Sequence, residues 1–361
     1  MGAPTAVLVS YRFGGRDGVS EEARKWEGAL GKLGFATRRV AGEFEDGLAP
    51  ADRYVQGLGR LPIPGCPADA HAVAASIDGA DLVVVENLCS LPVNLDAARA
   101  TAAALTDFSG RVVFHHHDLP WEREGYAADG EFPPQRAQSL HVTISDQARR
   151  ALEARGFEAA TIRNAFDPHP REGARAQTRY DLQFDDSDVV VLQPTRAIPR
   201  KEVGRGLRFA EQLAGRLPDR RVRYWLTGPA EDGFGPALAT LLDATSLETT
   251  HRAVPDIADA YAASDLVVMP SRWEGFGNPV VEAMLARRPV VAAPYPVLNE
   301  LLGLGLEVLP LDDPTAAARA LLNAGSEVVD ENQRVAAATL SIADLPGRIE
   351  QAFTRVGWVD W

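Results

Sequence analysis

Cysteine is scarce: the chain of 361 residues has two, Cys66 and Cys89. A disulfide scaffold is therefore excluded, and neither cysteine stands in a metal-ligand spacing. Positive charge is also in deficit. Lysine and arginine number 37 against 50 aspartates and glutamates, a net charge of −13. That balance argues against nucleic acid or an anionic lipid surface as a partner, and no stable membrane association is expected. No apolar run approaches the ~20 residues that span a bilayer. Residues 5–10 are a short apolar stretch followed by polar sequence, without the layout of a secretory leader, so cytoplasmic residence is the expectation. No G-x-G-x-x-G follows that stretch, which leaves a nicotinamide-dependent dehydrogenase unsupported.

What the chain does have is a rhythm. Hydrophobic residues at 46% and charged residues at 24% describe a globular protein, and the length suits about two domains. Apolar runs at 5–10, 81–86, 111–116 and 141–144, and the segment 35–41, read as strands. Helical patterns lie between them, including 20–34 with Ser20 as its expected cap and an alanine-rich segment at 95–106. Residues 165–186 are polar and rich in turn formers, and read as an interdomain linker. A second series follows, with strands at 188–193, 222–227, 249–252, 265–269 and 289–293 and helices at 201–216, 235–244, 256–263 and 279–286. Such alternation implies parallel sheets with helices on both faces. Beyond this shared rhythm there is no sequence repeat.

The most informative stretch is PSRWEGFGNPVVEAMLARRPVV, residues 270–291. It follows an apolar strand and reads as a loop, a short helix and another strand. Gly275 and Gly277 permit conformations and close approaches that a Cβ blocks. Asn278 is the expected N-cap and Pro279 the first helical residue, which puts Glu282 fourth. A helix N-terminus attracts anions. Glu274 and Glu282 flank it, and carboxylates accept hydrogen bonds from hydroxyls. An anion hole between two hydroxyl acceptors suits a ligand with both phosphate and sugar, such as a nucleotide sugar.

This stretch resembles the E-x7-E signature of retaining glycosyltransferases of family four, with Glu274 and Glu282 as the pair. The resemblance extends over nearly the full chain and is most specific at 188–300. It implies an α/β chain of GT-B fold, two Rossmann-like domains facing each other across a cleft. Residues 1–170 would form the acceptor domain and 171–342 the nucleotide-sugar domain, with a final helix at about 343–361 crossing back to the first. It further implies that Arg196 and Lys201, an R-x4-K pair, hold the donor diphosphate, with Arg200 and Arg205 as nearby rivals. Glu282 would bond the nucleoside ribose. Glu274 and the Gly275, Phe276, Gly277 and Asn278 backbone would hold the donor hexose and phosphate, with Gly228 under the nucleotide. His117, next to Asp118, would contact the sugar, whereas His115 and His116 read equally as packing residues.

The glycine loop after the first strand carries Gly14 and Gly15, and the resemblance implies that Gly15 lies near the donor diphosphate. Arg12, Gly14, Arg16 and Asp17 are the acceptor candidates there, joined by Trp121 and Arg123, although Trp121 serves equally well as a packing residue. Asn164 and Asp167 resemble a segment that closes the first domain, with Ala165 where the family has glycine. After Pro289 the pattern departs from the family, and the place of Glu300 is open. Asp186-Ser187-Asp188 spells a D-x-D but precedes a strand, and reads as a turn or solvated cap. No metal site and no cofactor are assigned, because Arg and Lys stand in for the ion; the nucleotide sugar is a co-substrate.

The function these readings imply is retaining transfer of a hexose, from GDP-mannose or UDP-glucose as leading donors, to a hydroxyl of a small polar acceptor. A nucleotide-sugar epimerase, a phosphorylase of the same fold and a non-catalytic nucleotide-sugar binder are the alternatives, and a homodimer is left open.

Overall fold

The computed structural model describes residues 2–15, 17–122, 130–322 and 327–359. Contacts divide the chain into two units, residues 1–165 with 342–361, and residues 166–341.

Unit 1 carries strands β1 (Thr5–Val9), β2 (Arg12–Phe13), β3 (Ala36–Ala41), β4 (Glu43–Phe44), β5 (Arg53–Tyr54), β6 (Leu82–Glu86), β7 (Arg111–His116), β8 (Ser139–Thr143) and β9 (Ala159–Thr161). Its helices are α1 (Gly18–Lys32), α2 (Ala70–Ile77), α3 (Leu95–Ala104) and α4 (Asp146–Glu153). Among the described residues, seven strands form one parallel sheet in the order β5-β3-β1-β6-β7-β8-β9. Runs such as LVVVE in β6 are buried on both faces, as a parallel sheet covered on both sides requires. The pairing of β6 with β7 sets Glu86 opposite His115 at their carboxyl ends.

The cap of α1 is Asp17, whose side chain accepts the backbone N–H groups of Val19 and Ser20. Ser20, expected from the sequence as the cap, lies within the first turn and donates its hydroxyl to Asp17 Oδ2 at 2.8 Å. A carboxylate three residues earlier satisfies the orphan donors better than the serine does.

Unit 2 carries α5 (Arg175–Asp181), β10 (Val189–Gln193), α6 (Val203–Ala214), β11 (Val222–Leu226), α7 (Gly235–Ala244), β12 (Glu248–His251), α8 (Ile257–Ala263), β13 (Leu266–Met269), α9 (Asn278–Leu285), β14 (Val290–Ala292), α10 (Leu298–Leu302), β15 (Leu309–Pro310), α11 (Pro314–Leu322) and α12 (Glu327–Thr339). Its sheet is parallel, in the order β12-β11-β10-β13-β14-β15. Helix α13 (Leu345–Arg355) then returns to unit 1, where Leu345, Ile349 and Phe353 pack into the core around Trp26 and Leu30 of α1. Each such buried side chain contributes about 1.5–3 kcal/mol.

The segment 165–186 is not simply an irregular linker. It contains α5, fixed to unit 2 by two arginines. Arg179 is 1% exposed and donates to the carbonyls of Ala263, Asp185 and Asp188. Arg175 donates to Ala262 O and Ser264 O and pairs with Asp265 at 2.7 Å. Composition counts these residues as polar and surface-seeking, yet a guanidinium's five donors can satisfy buried carbonyls outright. The D-x-D is also internal in part: Asp188 is buried and pairs with Arg221 and Arg223, each at 2.7 Å.

Candidate functional site

The carboxyl ends of adjacent parallel strands are where α/β sheets present their ligand-binding loops. In unit 2, β10 and β13 are neighbours. The loop after β10 runs through a short turn at Pro199–Lys201, and the loop after β13 carries Glu274. Their meeting brings Lys201 Nζ to 2.5 and 2.6 Å from the two carboxylate oxygens of Glu274. Both side chains are buried. Arg200 joins the same carboxylate at 3.4 Å.

Gln193, at the end of β10, braces the turn by donating to Thr195 Oγ1 and to the Lys201 carbonyl, each at 3.0 Å. Its own carbonyl oxygen accepts the Tyr224 hydroxyl.

Burial lowers the Lys201 pKa; Glu274 partly offsets this, and the charges of Arg200 and Arg196 lower it further, leaving about 8. Burial acts oppositely on Glu274, but Lys201 and Arg200 more than offset it and hold the carboxyl below its ordinary range. The pair is therefore ionised at neutral pH.

Arg196 is not part of that pair. It meets Glu231 at 2.8 Å. Glu282 accepts the hydroxyl of the buried Tyr261 at 2.7 Å. Gly277 has φ +97°, and a Cβ there would lie 2.1 Å from Tyr295 Oη. The cap of α9 is this glycine, not Asn278, because the left-handed turn it permits starts the helix one residue earlier. Glu282 is accordingly the fifth helical residue rather than the fourth. Phe276 is buried and stacks on Phe166 with ring centroids 6.1 Å apart. At Gly228 a Cβ would come within 2.3 Å of Thr195 O, so the loops after β10 and β11 touch there. Gly275 lies in the loop that leads into this turn, and Glu300 lies in the first turn of α10.

In unit 1 the glycine loop is tightly made. Gly14 has φ +78°, and a Cβ there would meet Asp46 N at 2.4 Å. Gly15 packs against Asp17 Oδ2. Arg12 pairs with Asp17 at 2.9 Å and with Glu45 at 3.2 Å, so Asp17 caps α1 and neutralises Arg12 together. Arg16 and Arg123 lie outside the described residues. The Trp121 ring is covered by the Arg155 guanidinium at 3.8 Å and packs beside Leu119 and Leu152.

The three histidines divide between two faces. His116 bonds Ser90 and, at 2.9 Å, His141. His115 Nδ1 lies 2.8 Å and His117 Nε2 3.4 Å from Glu86 Oε2. Asn87, with φ +56°, accepts the backbone N–H groups of His117 and Asp118 on its Oδ1. Burial raises the Glu86 pKa, but His115 and His117 more than offset it and bring it down to about 2. Glu86 was not among the sequence candidates. It closes the run DLVVVE and reads as a strand end; only the β6–β7 register puts it beside the histidines.

Residues 190–326 match the family described as "Glycosyl transferases group 1". This stretch is a glycosyl transferases group 1 domain. Over 91% of both chains, the glycosyltransferase is 25% identical to mannosylglucosylglycerate synthase of Petrotoga mobilis. It is 36% identical to D-inositol 3-phosphate glycosyltransferase of Rhodococcus jostii over 131 residues, 34% of this chain and 29% of that one. Among solved structures, HepE of Anabaena, in complex with UDP-glucose, aligns with a TM-score of 0.72 and 19% identity over 97% of this chain and 99% of that one. WaaG, a glycosyltransferase of lipopolysaccharide biosynthesis, aligns with a TM-score of 0.69 and 16% identity over 98% of this chain and all of its own. The fold is GT-B.

Proposed function

We propose that the glycosyltransferase moves a hexose from a nucleotide sugar to a hydroxyl of a small polar acceptor, with retention at the anomeric carbon. The observation that carries this reading is the buried Lys201–Glu274 pair at the carboxyl ends of β10 and β13. A lysine kept charged in a water-poor site stabilises the charge that grows on the β-phosphate as the sugar leaves. Glu274 keeps that lysine protonated, and Arg196 adds a second cation. The diphosphate takes over Lys201 from Glu274 when it binds, which frees a carboxylate oxygen for the sugar hydroxyls. Glu282, steadied by Tyr261, accepts a ribose hydroxyl.

In the step itself the acceptor oxygen attacks C1 on the face the diphosphate leaves from. The bond from C1 to the β-phosphate oxygen breaks, a bond from C1 to the acceptor oxygen forms, and the acceptor proton passes to the departing oxygen. No protein base is required. The relative named mannosylglucosylglycerate synthase spans nearly the whole chain, which favours a mannosyl or glucosyl donor and an acceptor of the glycosylated-glycerate class. In unit 1, Arg12 and Asp17 of the glycine loop are assigned to that acceptor.

The test is incubation with GDP-mannose or UDP-glucose and glucosylglycerate, followed by NMR of the product. Nucleoside diphosphate release with a new glycoside of the donor's anomeric configuration is the expected result. An inverted product would overturn retention. Sugar isomerisation without acceptor, or phosphate-dependent turnover, would replace the transferase reading with an epimerase or a phosphorylase.

A further inference from the structure

Glu86, His115 and His117 converge in unit 1, and one ligand atom from each lies within 4.8 Å of the others. Consecutive strand residues point to opposite faces, which removes His116 from the group but not the other two. His115 and His117 are two residues apart and share a face, with ring centroids 4.5 Å apart. The β6–β7 register supplies the third group.

We propose that these three residues form a site for one divalent transition-metal ion of the zinc class. Two imidazoles and a carboxylate are a recurring zinc set, one that leaves a fourth position for an outside oxygen. Metal–ligand bonds of about 2.0–2.2 Å in a tetrahedron place ligand atoms about 3.4 Å apart. The separations here are 2.8 Å from Glu86 to His115 and 3.4 Å from Glu86 to His117, so the ion enters with a shift below one ångström at the tighter pair.

A second observation points the same way. Among the described residues, Glu86 Oε1 is buried without a hydrogen-bond partner, in a side chain that is 0% exposed. Buried acceptors are nearly always satisfied, and a cation on this carboxylate satisfies what the protein leaves open. The surroundings hold the ligands in place. Trp26 packs on the His115 ring at 4.5 Å, and Asn87 fixes the backbone of His117. His117, the most exposed of the three at 8%, marks the side of entry. The three residues belong to unit 1 and the Lys201–Glu274 pair to unit 2, and the proposal does not depend on how that pair is used.

The test is Co2+ and Zn2+ titration of tag-free, chelator-treated full-length protein. The expected result is one ion per chain, intense visible bands of tetrahedral Co2+, and displacement by Zn2+. Glu86→Gln and His117→Ala should each weaken binding at least a hundredfold, while His71→Ala and His169→Ala leave it unchanged. Circular dichroism of each variant separates lost ligation from lost folding, and a His117→Cys variant that folds and restores the Co2+ bands with a thiolate charge-transfer band supports the site. Sub-stoichiometric uptake by the wild type, or equal affinity in the folded Glu86→Gln and His117→Ala variants, would overturn it and leave Glu86 as a hydrogen-bonding brace for the two histidines.

Discussion

Lys201 is the residue whose surroundings most constrain its chemistry. Its folded pKa of about 8 lies below the ordinary 10.5, because burial disfavours the charge more than Glu274 restores it. For a cation with a depressed folded pKa, the unfolded chain binds more protons between those values. The stability contributed by this group therefore rises with pH from about 8 to 10.5. Activity runs the other way, since the neutral amine stabilises no leaving group. A plot of kcat/KM against pH should bend downward near pH 8 while thermal stability of the unliganded protein does not fall with it; a flat profile up to pH 10 would argue against a protonated Lys201 in turnover.

Gly277 is a second residue with a sharp expectation. Gly277→Ala puts a methyl 2.1 Å from Tyr295 Oη on a left-handed backbone, and should cost about 1–2 kcal/mol. Adding Tyr295→Phe removes the nearest atom and should return part of that loss in chemical denaturation. A single variant as stable as the wild type would show the turn to be less constrained than its φ implies.

At the scale of elements, α5 shows where composition misleads. Polar residues and turn formers made 165–186 read as linker, yet the guanidinium groups of Arg175 and Arg179 bind the carbonyls that end α8 and flank β10. Arg179→Met should destabilise unit 2 by about 2–4 kcal/mol, because it leaves the carbonyls of Ala263, Asp185 and Asp188 without their donor, at roughly 1–3 kcal/mol for each one buried and unsatisfied. A loss under about 1 kcal/mol by denaturant titration would contradict the tie described here. The strands and most helices were legible because buried parallel strands are near-continuous apolar runs. Boundaries were less so: Asp17 displaced Ser20 as the cap of α1, and Gly277 displaced Asn278 at α9, each by side-chain or backbone geometry that residue preference alone does not rank. The contact of Lys201 with Glu274 was not legible, although both residues were singled out. It depends on β10 lying beside β13, which is a fact of sheet order. Glu86 was missed for the same reason.

At the scale of the whole molecule, a GT-B fold and a glycosyl transferases group 1 domain leave donor and acceptor to be established. In the proposed reaction, Lys201 stabilises a departing nucleoside diphosphate rather than merely binding it. The direct test is Lys201→Ala, with nucleoside diphosphate release and donor affinity measured on the same protein. Turnover should fall at least about a hundredfold, the scale of one lost transition-state contact, with donor affinity changed only severalfold. Near-normal turnover, or a loss confined to donor affinity, would contradict it.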